Sequence, residues 1–540
     1  MPAMKKSEGK RPGTQHRHKL RAARSSTRWL AIIATICAIG PADKGFCADP
    51  SDPILNLMLQ KGLITEDEAA KVKAEAEAIR TNEASQFPES RFKISPAIKN
   101  MEIFGDIRLR FENRSATDPQ GNNLDDERLR YALRLGLRGE VYDDFYYGFR
   151  VETSANPRSS WVSMGNSSGG PFSKSGAGID IGQIYLGWQP EKWVDLTVGK
   201  MPNPIYTTPM VWDPDINPEG AAEHLKYTVG AADFSVTLAQ FLYQDVGPSQ
   251  SSPGYLGLYA VNSTALPFIM SWQAGVNYHV TKKVAFKVAP VLYTYNHFNT
   301  GHAPSGDLNG SFNPDFSGTY VGQGSSFGVN GVQGVSYNLG GPFDGFWANQ
   351  DGINKLMVLE VPFELNMQMG KVDLRVFGDY AQNLQGADRA QAAYNVSQSS
   401  YFSLGGPGFG LIPIPSPQTH DDAAYQIGFA IGSKDSLGLV NGTTAKKHSW
   451  EFRTYWQHIE QYALDPNLID SDAFEGRENM QGINAQFAYG FTDNFIGMVR
   501  YAYATRINNR LGTGGSNADL PQMNPINQYD LLQLDLMLKF

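Results

Sequence analysis

Seven arginines occupy alternate or nearly alternate positions in three neighbouring stretches of the sequence, a spacing that puts side chains on one face of an extended chain. They are Arg108, Arg110, Arg128, Arg130, Arg134, Arg138 and Arg150. A row of guanidinium groups on one face attracts anions and repels cations. The chemistry predicted for these residues is therefore electrostatic selection among ions.

Acidic residues near the arginines provide an alternative, in which the row is neutralised by its neighbours. Four of them lie within the same three stretches, and they are Asp106, Glu112, Glu127 and Glu152. Four more lie on later stretches of the same type, and they are Glu360, Glu364, Asp373 and Asp379. An anion-selecting row and a screened row both remain open.

The segment 202–221 is a second candidate, because prolines restrict its backbone. The prolines are Pro202, Pro204, Pro209, Pro214 and Pro218. Trp212 could anchor the segment against a wall, and three acidic residues could form a lip opposite the arginines. The acidic residues are Asp213, Asp215 and Glu219. The alternative is an ordinary rigid surface loop.

Two motif-like stretches are set aside. Residues 213–220, DPDINPEG, place oxygen atoms at alternate positions, but Pro218 and His224 stand where an EF-hand needs its turn glycine and its glutamate. Residues 324–328, GSSFG, match the nucleophile elbow but lack a predicted strand before them and a helix after them. The nine histidines form no metal-binding cluster. No metal, cofactor or catalytic residue is predicted.

The arginines lie on stretches in which apolar residues repeat at every second position, the pattern of a β-strand. In residues 103–111, IFGDIRLRF, the apolar residues alternate with charged ones. The last ten residues, LLQLDLMLKF, place leucine at alternate positions and end on Phe540. Such a strand fits a half-buried position in a soluble domain, and it also fits a wall between lipid and water.

Sixteen strands are predicted near 101–114, 127–142, 145–155, 179–189, 193–201, 222–229, 232–243, 268–280, 284–296, 354–369, 371–384, 421–432, 447–461, 480–490, 495–508 and 528–540. Short turns alternate with long polar loops, which lie near 115–126, 156–178, 202–221, 244–267, 297–353, 385–420, 462–479 and 509–527. One connection expected to be short, 433–446, is longer than the others. Pro290 and Pro362 fall inside strands, where proline removes a ladder hydrogen bond. The alternation predicts an all-β fold, an antiparallel transmembrane β-barrel of about sixteen strands.

The N-terminus has the features of an export signal. A basic region precedes the apolar stretch WLAIIATICAIG, residues 29–40, and small residues follow it. We predict a signal peptide over residues 1–48, with cleavage after residue 42 or 48; the alternative is an uncleaved anchor. Its removal leaves 36 basic and 52 acidic residues, a net charge of −16. This charge argues against a nucleic-acid partner.

Residues 49–95 differ from the chain that follows. They are rich in Ala, Glu and Lys, and Thr65 with Glu68 forms a capping box at the start of a predicted helix. We predict a short periplasmic helical segment with a linker, and the barrel domain then covers residues 96–540. The alternative for this segment is a loosely held amphipathic tail.

Three places in the sequence resemble one bacterial family. Phe540 on its alternating strand resembles the signal that outer-membrane barrels present to their assembly machinery. Residues 196–220, LTVGKMPNPIYTTPMVWDPDINPEG, and residues 61–69, KGLITEDEA, resemble the porin family related to the phosphate-selective porins. The resemblance implies a sixteen-stranded porin in the outer membrane of a Gram-negative bacterium, often a homotrimer, whose third external loop folds into the pore.

The sequence therefore predicts a channel for passive diffusion of small hydrophilic solutes or ions, lined by the seven arginines and narrowed by the segment 202–221. Three classes are weighed against each other. A barrel enzyme needs a clustered catalytic set at its rim, and none is apparent. A conduit barrel would sheathe a partner such as a cytochrome, and nothing in the chain binds haem. A charged, glycine-bearing lumen favours the channel.

Overall fold

The structure is a computed structural model, and its described residues all lie within one compact unit, Ser95–Phe540. They are residues 95, 97–142, 144–154, 159–165, 172, 178–243, 268–296, 356–391, 421–443, 445–509, 511–513, 520 and 525–540. The predicted signal peptide and the helical segment that follows it lie outside the described residues. The same holds for the loop 297–353 and for residues 392–420 of the loop 385–420.

The described residues form nineteen strand segments in a single sheet. They are β1 (Ile98–Thr117), β2 (Asn123–Val141), β3 (Phe145–Ser154), β4 (Val162–Ser163), β5 (Gly178–Glu191), β6 (Val194–Lys200), β7 (Glu219–Val229), β8 (Ala232–Leu242), β9 (Phe268–Thr281), β10 (Val284–Val288), β11 (Val291–Asn296), β12 (Met357–Glu360), β13 (Phe363–Met369), β14 (Val372–Asn383), β15 (Ala423–Ser433), β16 (Trp450–Ile459), β17 (Met480–Gly490), β18 (Phe495–Arg506) and β19 (Gln528–Lys539).

The nineteen segments correspond to sixteen strands of the wall. Proline removes a ladder donor, and Pro290 and Pro362 accordingly separate β10 from β11 and β12 from β13 within two continuous strands. The two-residue β4 pairs with β2 beyond the end of β3. The sixteen-stranded antiparallel barrel predicted from the sequence is therefore confirmed, with strand ends shifted by only a few residues.

The barrel is closed by its first and last strands. β1 pairs antiparallel with β19 from Asp106 opposite Lys539 to Thr117 opposite Gln528. One step further, Gly105 and Phe540 exchange backbone hydrogen bonds of 2.9 and 3.1 Å. Closure leaves no edge strand, so every strand of the wall has a partner on both sides.

Alternation gives the wall an apolar outer face and a polar inner face. On β19 the leucines at 532, 534, 536 and 538 lie on the outer face, and Gln533 and Asp535 are buried on the inner face. Exposed Ile103, Ile107 and Leu109 continue the outer face onto β1. This one-sided pattern is typical of a wall between lipid and a polar interior.

Helical structure is sparse in the described part of the chain. The described residues include a helical stretch at 386–391, one helical turn at Ser471–Phe474 and a 3₁₀ turn at Leu439–Asn441. None of the helices described is both long and apolar enough to cross a membrane.

Candidate functional site

The segment 201–218 runs through the barrel interior, and its tip is bound to one wall. The hydroxyl of Thr207 donates to Glu360 Oε1 on β12 at 2.7 Å, and the hydroxyl of Thr208 donates to Asp379 Oδ2 on β14 at 2.5 Å. Both carboxylates are buried. These bonds hold the tip of the segment against the inner wall.

Trp212 packs the same segment against a second part of the wall. The residue is 4% exposed, and its ring meets Phe241 of β8 edge-on at 5.7 Å and lies 6.4 Å from Tyr293 of β11. Its Nε1 donates to the carbonyl of Ile216 at 3.0 Å, so the polar atom of the indole is also satisfied. Aromatic pairs of this kind add about 0.5–1.5 kcal/mol beyond their burial.

The three acidic residues predicted to form a lip occupy different environments. Asp215 Oδ1 lies 2.5 Å from Arg134 Nη2, whereas Asp213 is buried and accepts the backbone N–H of Asp215 at 2.8 Å. Glu219 is exposed at the start of β7 and pairs with Lys200 at 2.6 Å. Only Asp215 of the three contacts the predicted arginine row.

A second segment, 460–479, folds inward, although the sequence predicts a long polar loop near 462–479. Asp472 accepts two hydrogen bonds from Arg110, at 2.7 and 3.1 Å, and lies 2.9 Å from Arg500 and 3.8 Å from Arg114. The segment is therefore bound to β1 and β18. The apolar residues of this segment are the feature of the sequence that indicates an inward position. They are Ala463, Leu464, Leu468, Ile469 and Phe474, and all are buried in the structure.

The two inward segments dock on each other. The N–H of Asp213 donates to the carbonyl of Leu468 at 2.6 Å, and the N–H of Asp470 donates to the carbonyl of Pro209 at 3.1 Å. Their apolar side chains share one cluster, which includes Met210, Val211, Leu464, Leu468 and Ile469. We call residues 201–218 and 460–479 together the septum.

Burial and charge shift the pKa values of the acids at this junction in opposite directions. Burial and neighbouring acids raise the pKa of Asp213, and burial with Asp472 raises that of Asp470 to about 6. Burial also opposes ionisation of Asp472, but Arg110 and Arg500 outweigh it and hold the pKa of Asp472 well below its ordinary value.

The predicted arginine row lies on the inner face, where the carboxylate of one residue, Glu112, lies within 4.0 Å of three of its arginines. Glu112 is fully buried on β1 and contacts Arg128 and Arg130, the latter at 3.4 Å. Its other oxygen lies 3.9 Å from Arg110, whose Nε also pairs with Asp535 at 2.7 Å. The guanidinium of Arg110 rests 4.1 Å above the ring centre of Trp161.

The remaining arginines of the row also have acidic partners. Arg134 contacts Asp215 as described above, and the other closest distances are Arg108–Asp106 2.6 Å, Arg138–Glu102 2.6 Å and Arg150–Glu152 3.0 Å. Arg138 differs from the rest because it is largely exposed near the end of β2. All seven arginines thus lie within 4.0 Å of a carboxylate, which is the arrangement of a screened row. Their role as pore-lining residues stays a prediction.

The long connection 433–446 turns into the barrel from the opposite end to the septum. The carboxylate of Glu451 accepts the N–H groups of Gly438 and Val440 at 2.8 and 3.0 Å. Leu439 and Val440 are buried in an apolar cluster on the inner face, and its other members are Ala488, Ile496 and Met537. We call residues 434–449 the inner turn.

Two further features bear on the predicted sites. A cavity of about 640 Å³ opens between the septum and the wall, and Trp212, Asp215 and Glu219 are among its lining residues. Within the described ranges, no group of three or more His, Cys, Asp or Glu side chains is arranged to hold a metal ion. The ring of Phe540 is 52% exposed beside Gly105, and its role as an assembly signal stays a prediction.

Comparisons with known proteins identify the family of this chain. The model of a family described as "Putative porin" matches residues 82–540. Among solved structures, the anion-selective porin from Comamonas acidovorans is similar, with 7% sequence identity, a TM-score of 0.39 and coverage of 82% of this chain and 99% of that one. A search of curated proteins finds no match. Because the family model spans most of the chain, the protein belongs to the Putative porin family, and its closed sixteen-stranded barrel is that of a porin channel.

Proposed function

We propose that this porin is a channel of the outer membrane through which small hydrophilic solutes or ions diffuse passively, and that the septum is its constriction. One observation carries the proposal: side chains tie the septum to separate parts of the wall. Thr207 and Thr208 bind β12 and β14, and Asp472 binds β1 and β18. A barrel of sixteen strands is wide enough to hold water, so the septum decides what passes.

The setting of the channel is part of the same proposal. The apolar outer face fits contact with outer-membrane lipid. The resemblance to porins supports a Gram-negative outer membrane, insertion by the barrel-assembly machinery and a homotrimer. Export would use the signal peptide of residues 1–48, with the helical segment remaining in the periplasm.

Other functional classes receive less support. The family and the fold indicate a channel rather than an enzyme. A conduit barrel that sheathes a partner needs an interior free for a second polypeptide, and here the septum and the inner turn pack against the inner wall. A passage for small solutes needs only the space beside these segments.

The proposal is tested by single-channel recording in a planar bilayer under a KCl gradient. We expect discrete conductance steps from the wild-type protein, and larger steps from Asp472→Asn. That change removes one of the two carboxylates hydrogen-bonded to Arg110 and the carboxylate that pairs with Arg500, and breaking a buried ion pair costs about 3–5 kcal/mol. The septum should therefore bind the wall less tightly.

The matched control is Asp125→Asn, the same chemical change at an exposed position of β2. It should leave the step size unchanged. Folded wild-type protein that carries no current would reject the channel. Equal steps from Asp472→Asn and the wild type would reject the septum as the constriction.

A further inference from the structure

Arg453 on β16 differs from the arginines of the predicted row because, in the described part of the chain, no carboxylate contacts its guanidinium. The residue faces the barrel interior and is 9% exposed. Throughout the part of the chain that the structure describes, its guanidinium makes no hydrogen bond, and no carboxylate oxygen lies within 4.0 Å of it. The acid that acts on its charge is Glu451, two residues away on the same strand, and it does not contact the guanidinium. A buried cation without a counter-ion in contact is costly, so this group is a candidate to bind an anion.

Aromatic rings hold the guanidinium of Arg453 in place. Its carbon lies 4.8 Å from the ring centre of Phe377 and 5.5 Å from that of Tyr455. Aromatic faces attract the flat side of a guanidinium, and they leave its N–H edges without acceptors. Those edges have the fork geometry that matches the two oxygens of a carboxylate or a phosphate.

Two further arginines flank Arg453 on the same row of the inner wall. Ala430 of β15 lies opposite both Arg453 and Arg375, and Gln486 of β17 lies opposite both Arg453 and Arg500. Each flanking arginine is thus two strands away, about 10 Å along the sheet at the usual strand spacing. The row carries three guanidinium groups on β14, β16 and β18.

The flanking arginines are only partly compensated. The Nε atoms of Arg375 and Arg500 are both buried without a hydrogen-bond partner. Arg375 lies 3.7 Å from Glu364 and from Glu451, which is beyond hydrogen-bonding distance. Arg500 is bound to Asp472 of the septum at 2.9 Å. Unused donors therefore occur at all three positions.

The row lies between the two structures that reach into the interior. On one side, Arg500 contacts the septum through Asp472. On the other side, Leu437 of the inner turn packs on the cluster of Phe377, Ala430 and Tyr455. A solute that passes from the septum towards the inner turn along this wall meets Arg453.

We propose that Arg453, flanked by Arg375 and Arg500, forms an oxyanion-binding subsite that takes a small carboxylate or phosphate anion. The subsite rests on the proposed channel function and adds a solute class to it. It also places the anion-selecting charge on β14, β16 and β18, away from the screened row on β1, β2 and β3. The bound anion accepts hydrogen bonds from the guanidinium edges and completes the charge balance of Arg453.

The test measures block of the chloride current by succinate and, separately, by inorganic phosphate. Each anion should reduce the current of the wild-type channel, and the more potent one identifies the oxyanion type. Arg453→Gln should raise the half-blocking concentration at least tenfold and move the reversal potential towards cations. Arg453→Lys should leave the reversal potential unchanged because it keeps the positive charge. It should still weaken the block by succinate or phosphate, because an ammonium lacks the fork geometry of a guanidinium. Lys192→Gln, in the exposed turn between β5 and β6, is the matched control.

Calorimetric titration of both anions onto the detergent-solubilised protein separates this proposal from the channel itself. Binding that disappears in Arg453→Gln supports the subsite even if no current is observed. Wild-type protein that binds neither anion, or equal affinity in the wild type and Arg453→Gln, overturns the subsite. Conducting channels with unchanged block in Arg453→Gln overturn it as well and leave the channel function intact.

Discussion

At the scale of single residues, one acid on the inner wall can form ion pairs with several arginines. Glu112 alone lies within 4.0 Å of Arg110, Arg114, Arg128 and Arg130. The further acids that complete the balance come from distant parts of the chain. Since Glu112 lies beside several cations, its loss would leave more than one guanidinium with less compensation.

The acid Asp470 at the junction of the septum predicts a pH dependence. Its pKa is raised to about 6, so the folded protein favours the protonated acid. The stability that comes from protonated Asp470 is therefore fully present below about pH 4 and is lost as the pH rises through about 6. Asp470→Asn keeps a neutral side chain and a good N-cap for the turn Ser471–Phe474. We expect the variant to unfold like the wild type at pH 4 and to be more stable at pH 7 by up to about 3 kcal/mol.

Urea unfolding in detergent micelles at a series of pH values between 4 and 8 measures this difference. Asp125→Asn controls for the general effect of removing one carboxylate. Other charged groups also face this junction, and they are Asp213, Asp215, Asp472 and Arg500. Only the difference in stability between Asp470→Asn and the wild type therefore isolates the titration of Asp470. A difference that is constant across the range would contradict the prediction.

The period of two in the sequence was sufficient to predict on which face each arginine lies. It could not predict the partners. Asp472 lies more than 350 positions from Arg110, and Asp215 lies 81 positions from Arg134. Arg453 escaped notice because an isolated arginine on a strand gives no sign of which groups contact its guanidinium.

At the scale of elements, the strands were predictable and the inward segments were not. Alternation, turn residues and proline define each strand from local sequence, and Pro290 and Pro362 interrupt the strands where the backbone predicts. The direction in which a connection folds depends on contacts with distant walls, which local patterns do not encode. For the segment 460–479, the apolar residues Leu464, Leu468 and Phe474 were the sign that it is not an external loop.

The inner turn gives a prediction at this scale. Leu439→Ala should lower the free energy of unfolding by about 2–4 kcal/mol, because it leaves a cavity beside Ala488, Ile496 and Met537. It should also raise the single-channel conductance, since the turn reaches into the interior. Leu384→Ala makes the same change at an exposed position after β14 and should affect neither quantity. An unchanged stability in Leu439→Ala would show that the turn is not packed as described.

At the scale of the whole molecule, the seam between β1 and β19 joins the two ends of the barrel. Phe540 contributes two backbone hydrogen bonds to Gly105 and an exposed ring. Phe540→Ala keeps the backbone bonds, whereas deletion of Phe540 removes both. If the ring is the assembly signal, both variants should reach the outer membrane in smaller amounts, and refolded Phe540→Ala should be nearly as stable as the wild type.

Membrane fractionation measures the assembled amount, and the shift in gel mobility on heating measures the folded fraction. Normal assembly of Phe540→Ala would contradict a role of the ring. A loss of assembly accompanied by an equal loss of stability in the refolded protein would assign the effect to closure of the seam instead.

The septum has a mechanical consequence for the wall around it. A sheet rolled into a tube is one chain thick, and its circular cross-section has little resistance to flattening under lateral pressure from the bilayer. The septum connects β12 and β14 to β1, β2 and β18 across the interior through hydrogen bonds and ion pairs. We therefore expect the septum to brace the wall, so that a barrel without it becomes oval more easily even while every strand keeps both of its neighbours.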